Sequence, residues 1–184
     1  MEEEIKNCVE TLVNGGLILY PTDTVWGIGC DATNEEAVKK VYELKKRSKS
    51  KALIILISEY ANLYKLLDQV SPNAYDYMNT PKPTTIIFDN VKNISKHAIA
   101  KDGSAAIRLA NDVFCKKIID KLGQPIISTS ANISGEKNPK SFNEINEQLK
   151  TDVDYIVNLR QDEIMEKPSS IIKIKDDGKI EKIR

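Results

Sequence analysis

Apolar residues at Ile5, Cys8, Val9, Leu12 and Val13 recur with helical period, so the chain opens on an amphipathic helix that Gly15-Gly16 brings to an end. A strand at Leu17 to Tyr20 follows, then a polar loop, Pro21 to Gly29, that carries hydroxyls and close-approach glycines. Thr33 with Glu36 three residues on reads as a capping box, and the helix behind it runs through Ala37, Val38, Val41 and Leu44. It closes in the basic segment Lys45 to Lys51. Ala52 to Ile57 then has the unbroken apolar character of a buried strand. A helix near Ser58 to Leu67 and another opened by Ser71-Pro72 lead to a strand at Thr84 to Phe88. The next strand, Ala105 to Leu109, carries Arg108 near its end. Asn111 or Asp112 caps the helix that follows, and Gly123 closes it. Pro125 to Ile127 reads as a strand running into a second polar loop, Ser128 to Gly135. Ser141 with Glu144 predicts another capped short helix, Tyr155 to Leu159 a strand, and Ser169 to Ile174 pairs with Lys179 to Ile183 across Asp176-Asp177-Gly178. Strands alternating with helices predict an α/β fold, and the terminal hairpin predicts a mixed sheet.

At 184 residues and 41% hydrophobic, the chain is expected to form one domain over residues 1–184. Positive and negative residues balance at 27 each, which excludes a molecule that binds nucleic acid through its overall charge; an anion site must come from local clustering. Cys8, Cys30 and Cys115 are odd in number and dispersed, against a disulfide framework or a zinc site. No apolar run is long enough to span a bilayer, and Glu2-Glu3-Glu4 is the reverse of a signal peptide, so the expected location is cytoplasmic. His97 is the only histidine, in plain helix or loop surroundings. Chemistry here is expected to run on positioning and charge stabilisation rather than on a histidine-activated nucleophile.

Neither G-x-x-x-x-G-K-[ST] nor G-x-G-x-x-G occurs. The basic segment with Lys45, Arg47, Lys49 and Lys51 is either a polyphosphate site or a solvated helix end whose lysines complement the dipole. Arg108, inside an apolar strand, must meet an internal carboxylate or a ligand carboxylate. The hydroxyls and the amide of Ser128-Thr129-Ser130-Ala131-Asn132 suit a ligand with many oxygens.

Pro21-Thr22-Asp23-Thr24-Val25-Trp26-Gly27, Lys45-x-Arg47, Pro81-x-Pro83-x-Thr85, Arg108, Ser128 to Gly135 and Ser169-Ser170 together resemble the YrdC/TsaC family of threonylcarbamoyl-AMP synthases, in that family's order and over nearly the whole chain. The resemblance implies a YrdC-type domain, a twisted mixed sheet with flanking helices around an open concave groove. It implies a reaction in which L-threonine, bicarbonate and ATP give threonylcarbamoyl-AMP and pyrophosphate, towards threonylcarbamoyladenosine in tRNA. It places Thr24, Arg108, Ser128 and Ser169 around threonine, and Arg47, Lys51, Ser104, Ser130, Asn138 and Arg184 around ATP. Lys45 and Arg47 would stabilise phosphate charge. Mg²⁺ would come with ATP and no protein ligand for it is named; the product would pass to tRNA threonylcarbamoyl-transfer proteins. Trp26, Ser48, Ala52, Lys82 and Ala110 depart from the family pattern, as does Leu56, where longer members carry a histidine. With its end at Arg184 the chain resembles the short form, without the extra carboxy-terminal domain. The alternative is a module that binds tRNA or double-stranded RNA without catalysis.

Overall fold

The computed structural model describes residues 1–48, 52–165, 167–174 and 179–184. Its strands are β1 (Ile18–Tyr20), β2 (Gly27–Asp31), β3 (Ile54–Ile57), β4 (Thr84–Phe88), β5 (Ala105–Leu109), β6 (Ile126–Ser130), β7 (Tyr155–Ile156), β8 (Ser170–Ile174) and β9 (Ile180–Lys182). Among the described residues they form one mixed sheet in the order β7-β1-β2-β6-β3-β5-β4-β8-β9. The helices are α1 (Glu2–Val13), α2 (Glu35–Leu44), α3 (Leu63–Leu66), α4 (Pro72–Met78), α5 (Val113–Leu122) and α6 (Glu147–Asp152).

Strand alternation splits the apolar residues into two cores, one on each face of the sheet. Leu19, Ile55, Ile57, Ile107 and Ile127 pack with the α2 residues Ala37, Val38 and Val41. Ile18, Tyr20, Leu56 and Ile126 face the other way, against Ile5, Cys8 and Leu12 of α1 and Phe114, Cys115, Ile118 and Ile119 of α5. Each fully buried Ile or Leu contributes about 1.5–3 kcal/mol by removing its surface from water. Asp112 caps α5, its Oδ1 accepting from Cys115 N at 2.9 Å, and Gly123 ends that helix at φ 74°.

Several elements differ from the sequence pattern. Residues assigned to the first polar loop form β2, whose Ile28 and Cys30 lie in the α2-side core. Ser128, Thr129 and Ser130 are the end of β6 rather than a loop, paired with Gly29, Ile28 and Gly27. Asn34, not Thr33, caps α2 by accepting from Ala37 N at 3.0 Å; the Thr33 hydroxyl donates instead to Asp31 Oδ1. Ser141 makes no side-chain cap, and the Glu144 carboxylate accepts from Lys140 N. The helix near Ser58 to Leu67 breaks into a 3₁₀ turn, Tyr60–Asn62, and the short α3. α6 was not anticipated, and β7 is two residues long. β8 and β9 pair antiparallel as expected, with their turn outside the described residues.

Candidate active site

The register of the sheet assembles a polar stripe on the face that α1 and α5 cover elsewhere. Gly27 pairs with Ser130, Gly29 with Ser128, Ser128 with Ile54, Leu56 with Arg108, Arg108 with Thr85, and Thr85 with Ile171. Partners across a sheet share a face, so these side chains sit side by side. Beyond the helices, Gly27, Ile54, Arg108, Ser128, Ser130 and Ile171 of this stripe line a cavity of about 140 Å³ with Thr22, Thr24, Arg47, Asn138, Ser169 and Arg184.

Arg108, 3% exposed, meets the internal carboxylate that one of its two readings requires: Nη1 pairs with Asp23 Oδ1 at 2.5 Å. Nη2 reaches Thr24 Oγ1 at 3.4 Å, while Nε is buried without a partner. The fork is therefore half used, and the remaining donor capacity suits a ligand carboxylate. The Thr22 hydroxyl organises the loop beside it, donating to Val25 O at 2.7 Å and accepting from the backbone N–H of Thr24 and Val25. Ser169 is fixed by Thr85, hydroxyl to hydroxyl at 2.8 Å.

Two further guanidinium groups reach the same cavity. Arg47 Nη2 donates to Ala52 O at 2.8 Å, and Arg184 donates through Nε and Nη2 to Ser169 O at 3.2 and 3.0 Å. Burial lowers the pKa of both, and like charges add to the effect, Arg184 acting on Arg47 and Arg108 on Arg184. Among the described residues no Asp or Glu lines the cavity.

Lys45 stands apart from Arg47. It is fully buried, and its ammonium donates to Ser130 O, to Asn132 O at 2.6 Å and to Asn132 Oδ1 at 3.4 Å. Burial pushes it down to about 7. A solvated helix end is thus not what forms at Lys45; the side chain staples the end of α2 to the turn that follows β6.

Of the residues picked out from the sequence, Thr24, Arg47, Arg108, Ser128, Ser130, Asn138, Ser169 and Arg184 line the cavity. Lys45 supports its wall from behind. Ser104 is not among the lining residues; its hydroxyl donates to Asp102 Oδ1 at 2.7 Å, at the opposite end of β5 from Arg108. Lys51 lies outside the described residues, and so does Lys49. Leu56 is buried in the α1 and α5 core, and Trp26 packs against Phe142 at 5.0 Å. Sequence reasoning missed Asp23, Thr22 and Thr85, although all three stand inside the motifs quoted above.

The profile of the Sua5/YciO/YrdC family, described as telomere recombination, matches residues 10–184. The chain belongs to that family. It is 36% identical over 140 residues to a threonylcarbamoyl-AMP synthase of Saccharophagus degradans, covering 75% of this chain and 73% of that protein. A threonylcarbamoyl-AMP synthase of Pseudoalteromonas translucida is 31% identical over 160 residues, covering 85% of this chain and 86% of that protein. The fold superposes on P. abyssi Sua5, crystallised as a complex with L-threonine, with a TM-score of 0.83 and 26% identity over 94% of this chain. This Sua5/YciO/YrdC chain spans about half of that Sua5 chain, 51% of its length. Within the family frame, the cavity offers what charge-stabilised transfer needs: convergent cations, a wall of hydroxyls and a partly used arginine fork.

Proposed function

We propose that the protein is an L-threonylcarbamoyladenylate synthase, a nucleotidyltransferase that makes threonylcarbamoyl-AMP for tRNA modification. The observation that carries this reading is the convergence of Arg47, Arg108 and Arg184 on one hydroxyl-lined cavity. Threonine binds with its carboxylate on the open part of the Arg108 fork, and the hydroxyls of Thr24, Ser128 and Ser169 take its amine and side-chain oxygen. ATP binds with its phosphates on Arg47 and Arg184, beside Ser130 and Asn138. Mg²⁺ enters as part of that substrate; arginine, hydroxyl and amide groups suit the phosphates more than a resident divalent ion. Ser104 has no role in this reading.

The threonine amine takes up carbon dioxide from bicarbonate, with water released, to give a carbamate. A carbamate oxygen then forms a bond to the α-phosphorus as the bond to the β-phosphate oxygen breaks, and pyrophosphate leaves. No protein nucleophile is needed. The guanidinium groups meet negative charge as it grows on the phosphates, in a site already arranged for it.

Incubation with α-labelled ATP, magnesium and bicarbonate, with and without threonine, tests the reading. A labelled AMP ester and pyrophosphate that appear only with threonine are the expected outcome. RNA binding with a steep salt dependence and no turnover of ATP would replace this reading with the nucleic-acid one.

A further inference from the structure

Tyr20 ends β1 on the α1 and α5 face, fully buried, and is not among the residues that line the cavity. Its ring presses on two glycines of β2. A Cβ on Gly29 would lie 2.8 Å from Tyr20 Cε1 and 2.8 Å from Ile127 O, and a Cβ on Gly27 would lie 3.4 Å from the same ring carbon and 3.3 Å from Ser128 Oγ. The missing side chains leave room for an aromatic ring directly behind the wall that Gly27 and Ser128 present to the ligand.

The hydroxyl at the tip of that ring has no partner of hydrogen-bonding geometry. A buried, unpaired hydroxyl costs free energy that a phenylalanine would not incur. Burial pushes the phenol well above its ordinary value, with Cys115 and Asp23 adding to the rise and the Arg108 charge opposing it. The Tyr20 ring and Ser128 Oγ flank one point, 3.4 and 3.3 Å from where a Gly27 Cβ would lie, so the phenol and that hydroxyl are neighbours behind the wall.

Resting on the synthase reading above, we propose that Tyr20 is a positioning residue of the amino-acid site, donating its hydrogen bond to Ser128 Oγ when the substrate binds. Ser128 is then committed to turn its own proton to the bound amino acid, so the orientation of one hydroxyl is set from behind the wall. A donor left unpaired until the substrate arrives raises selectivity for a substrate that completes the chain.

Tyr20→Phe removes the hydroxyl and keeps the ring against Gly27 and Gly29. Its expected signature is a melting temperature no lower than the parent's, a threonine KM raised about tenfold and an ATP KM unchanged. Preference for threonine over valine should fall by a similar factor, and in a Ser128→Ala background the substitution should change little. An unchanged threonine KM, an equal loss on both substrates, or an effect that simply adds to that of Ser128→Ala would overturn the proposal. So would a variant that fails to fold, because the hydroxyl would then belong to the core. The parent's threonine-dependent pyrophosphate release is measured first. Its absence overturns the synthase reading and this inference with it, whereas a working parent with an indifferent Tyr20→Phe overturns the inference alone.

Discussion

The two ends of the cavity handle positive charge in opposite ways. At the amino-acid end Arg108 is almost wholly buried and already paired with Asp23, so charge there is balanced before any ligand arrives. At the nucleotide end Arg47 is half-buried and Arg184 exposed; each donates to a backbone carbonyl, Ala52 O or Ser169 O, and among the described residues no carboxylate lines the wall. A buried charge without a partner is strongly unfavourable, whereas partly solvated charges tolerate imbalance. The first arrangement suits a zwitterion that brings both signs with it. The second suits a polyanion, whose binding relieves repulsion among the arginines.

This division can be broken by experiment. The largest effect is expected from the substrate itself. Valine has threonine's shape without its hydroxyl and would leave buried hydroxyls unpaired, so it should be rejected by about 10³ or more. Serine, lacking a methyl, should lose only about 1–3 kcal/mol and outrun valine in pyrophosphate release with ATP and bicarbonate in excess. Valine turning over like threonine would remove the amino-acid end from the comparison.

Arg47→Ala should lower kcat/KM for ATP by about 10² while leaving urea unfolding near the parent's, since the side chain is only half-buried. A large loss of stability would mean that the nucleotide end is structural. Arg108→Lys keeps a charge for Asp23 but loses the planar fork; the threonine KM should rise about thirtyfold, with the ATP KM nearly unchanged. Steady-state kinetics with each substrate varied would show equal rises if the ends were not separate.

The smallest effect concerns the staple behind the wall. Above pH 7 folded Lys45 gives up its proton while the unfolded chain holds it to about 10.5, so the unfolded state binds more protons and stability rises with pH across that window. The slope is at most about 1.4 kcal/mol per pH unit. Lys45→Met lacks it, and the difference in unfolding free energy between the two proteins at pH 7 and 9 measures it. A flat difference would mean that the carbonyls of Ser130 and Asn132 keep the ammonium charged.

Where local signals agree, sequence and structure coincide. The strands Thr84–Phe88 and Ala105–Leu109 match residue for residue, and Asp112 and Gly123 bound α5 as their chemistry demands. β2 is hidden because Gly27 and Gly29 stand where an alternating strand would show side chains, and what requires them, the ring of Tyr20, lies on another strand. The same limit applies to the site. Lys45 and Arg47 read as one basic motif, but Lys46 turns the chain at φ 49°, sending one cation into the wall and the other to the cavity. Asp23 shows the converse: its motif is visible, yet its pairing with Arg108, 85 positions away, depends on the sheet order.

The arginines at the nucleotide end have a consequence for the protein in a cell. Two like-charged guanidinium groups, Arg47 and Arg184, face an accessible cavity and attract small anions in solution, inorganic phosphate and pyrophosphate among them. Such anions compete with a nucleotide's phosphates for the same guanidinium groups. The apparent affinity for ATP then becomes a property of the surrounding medium as much as of the protein, and accumulated pyrophosphate throttles the enzyme that released it.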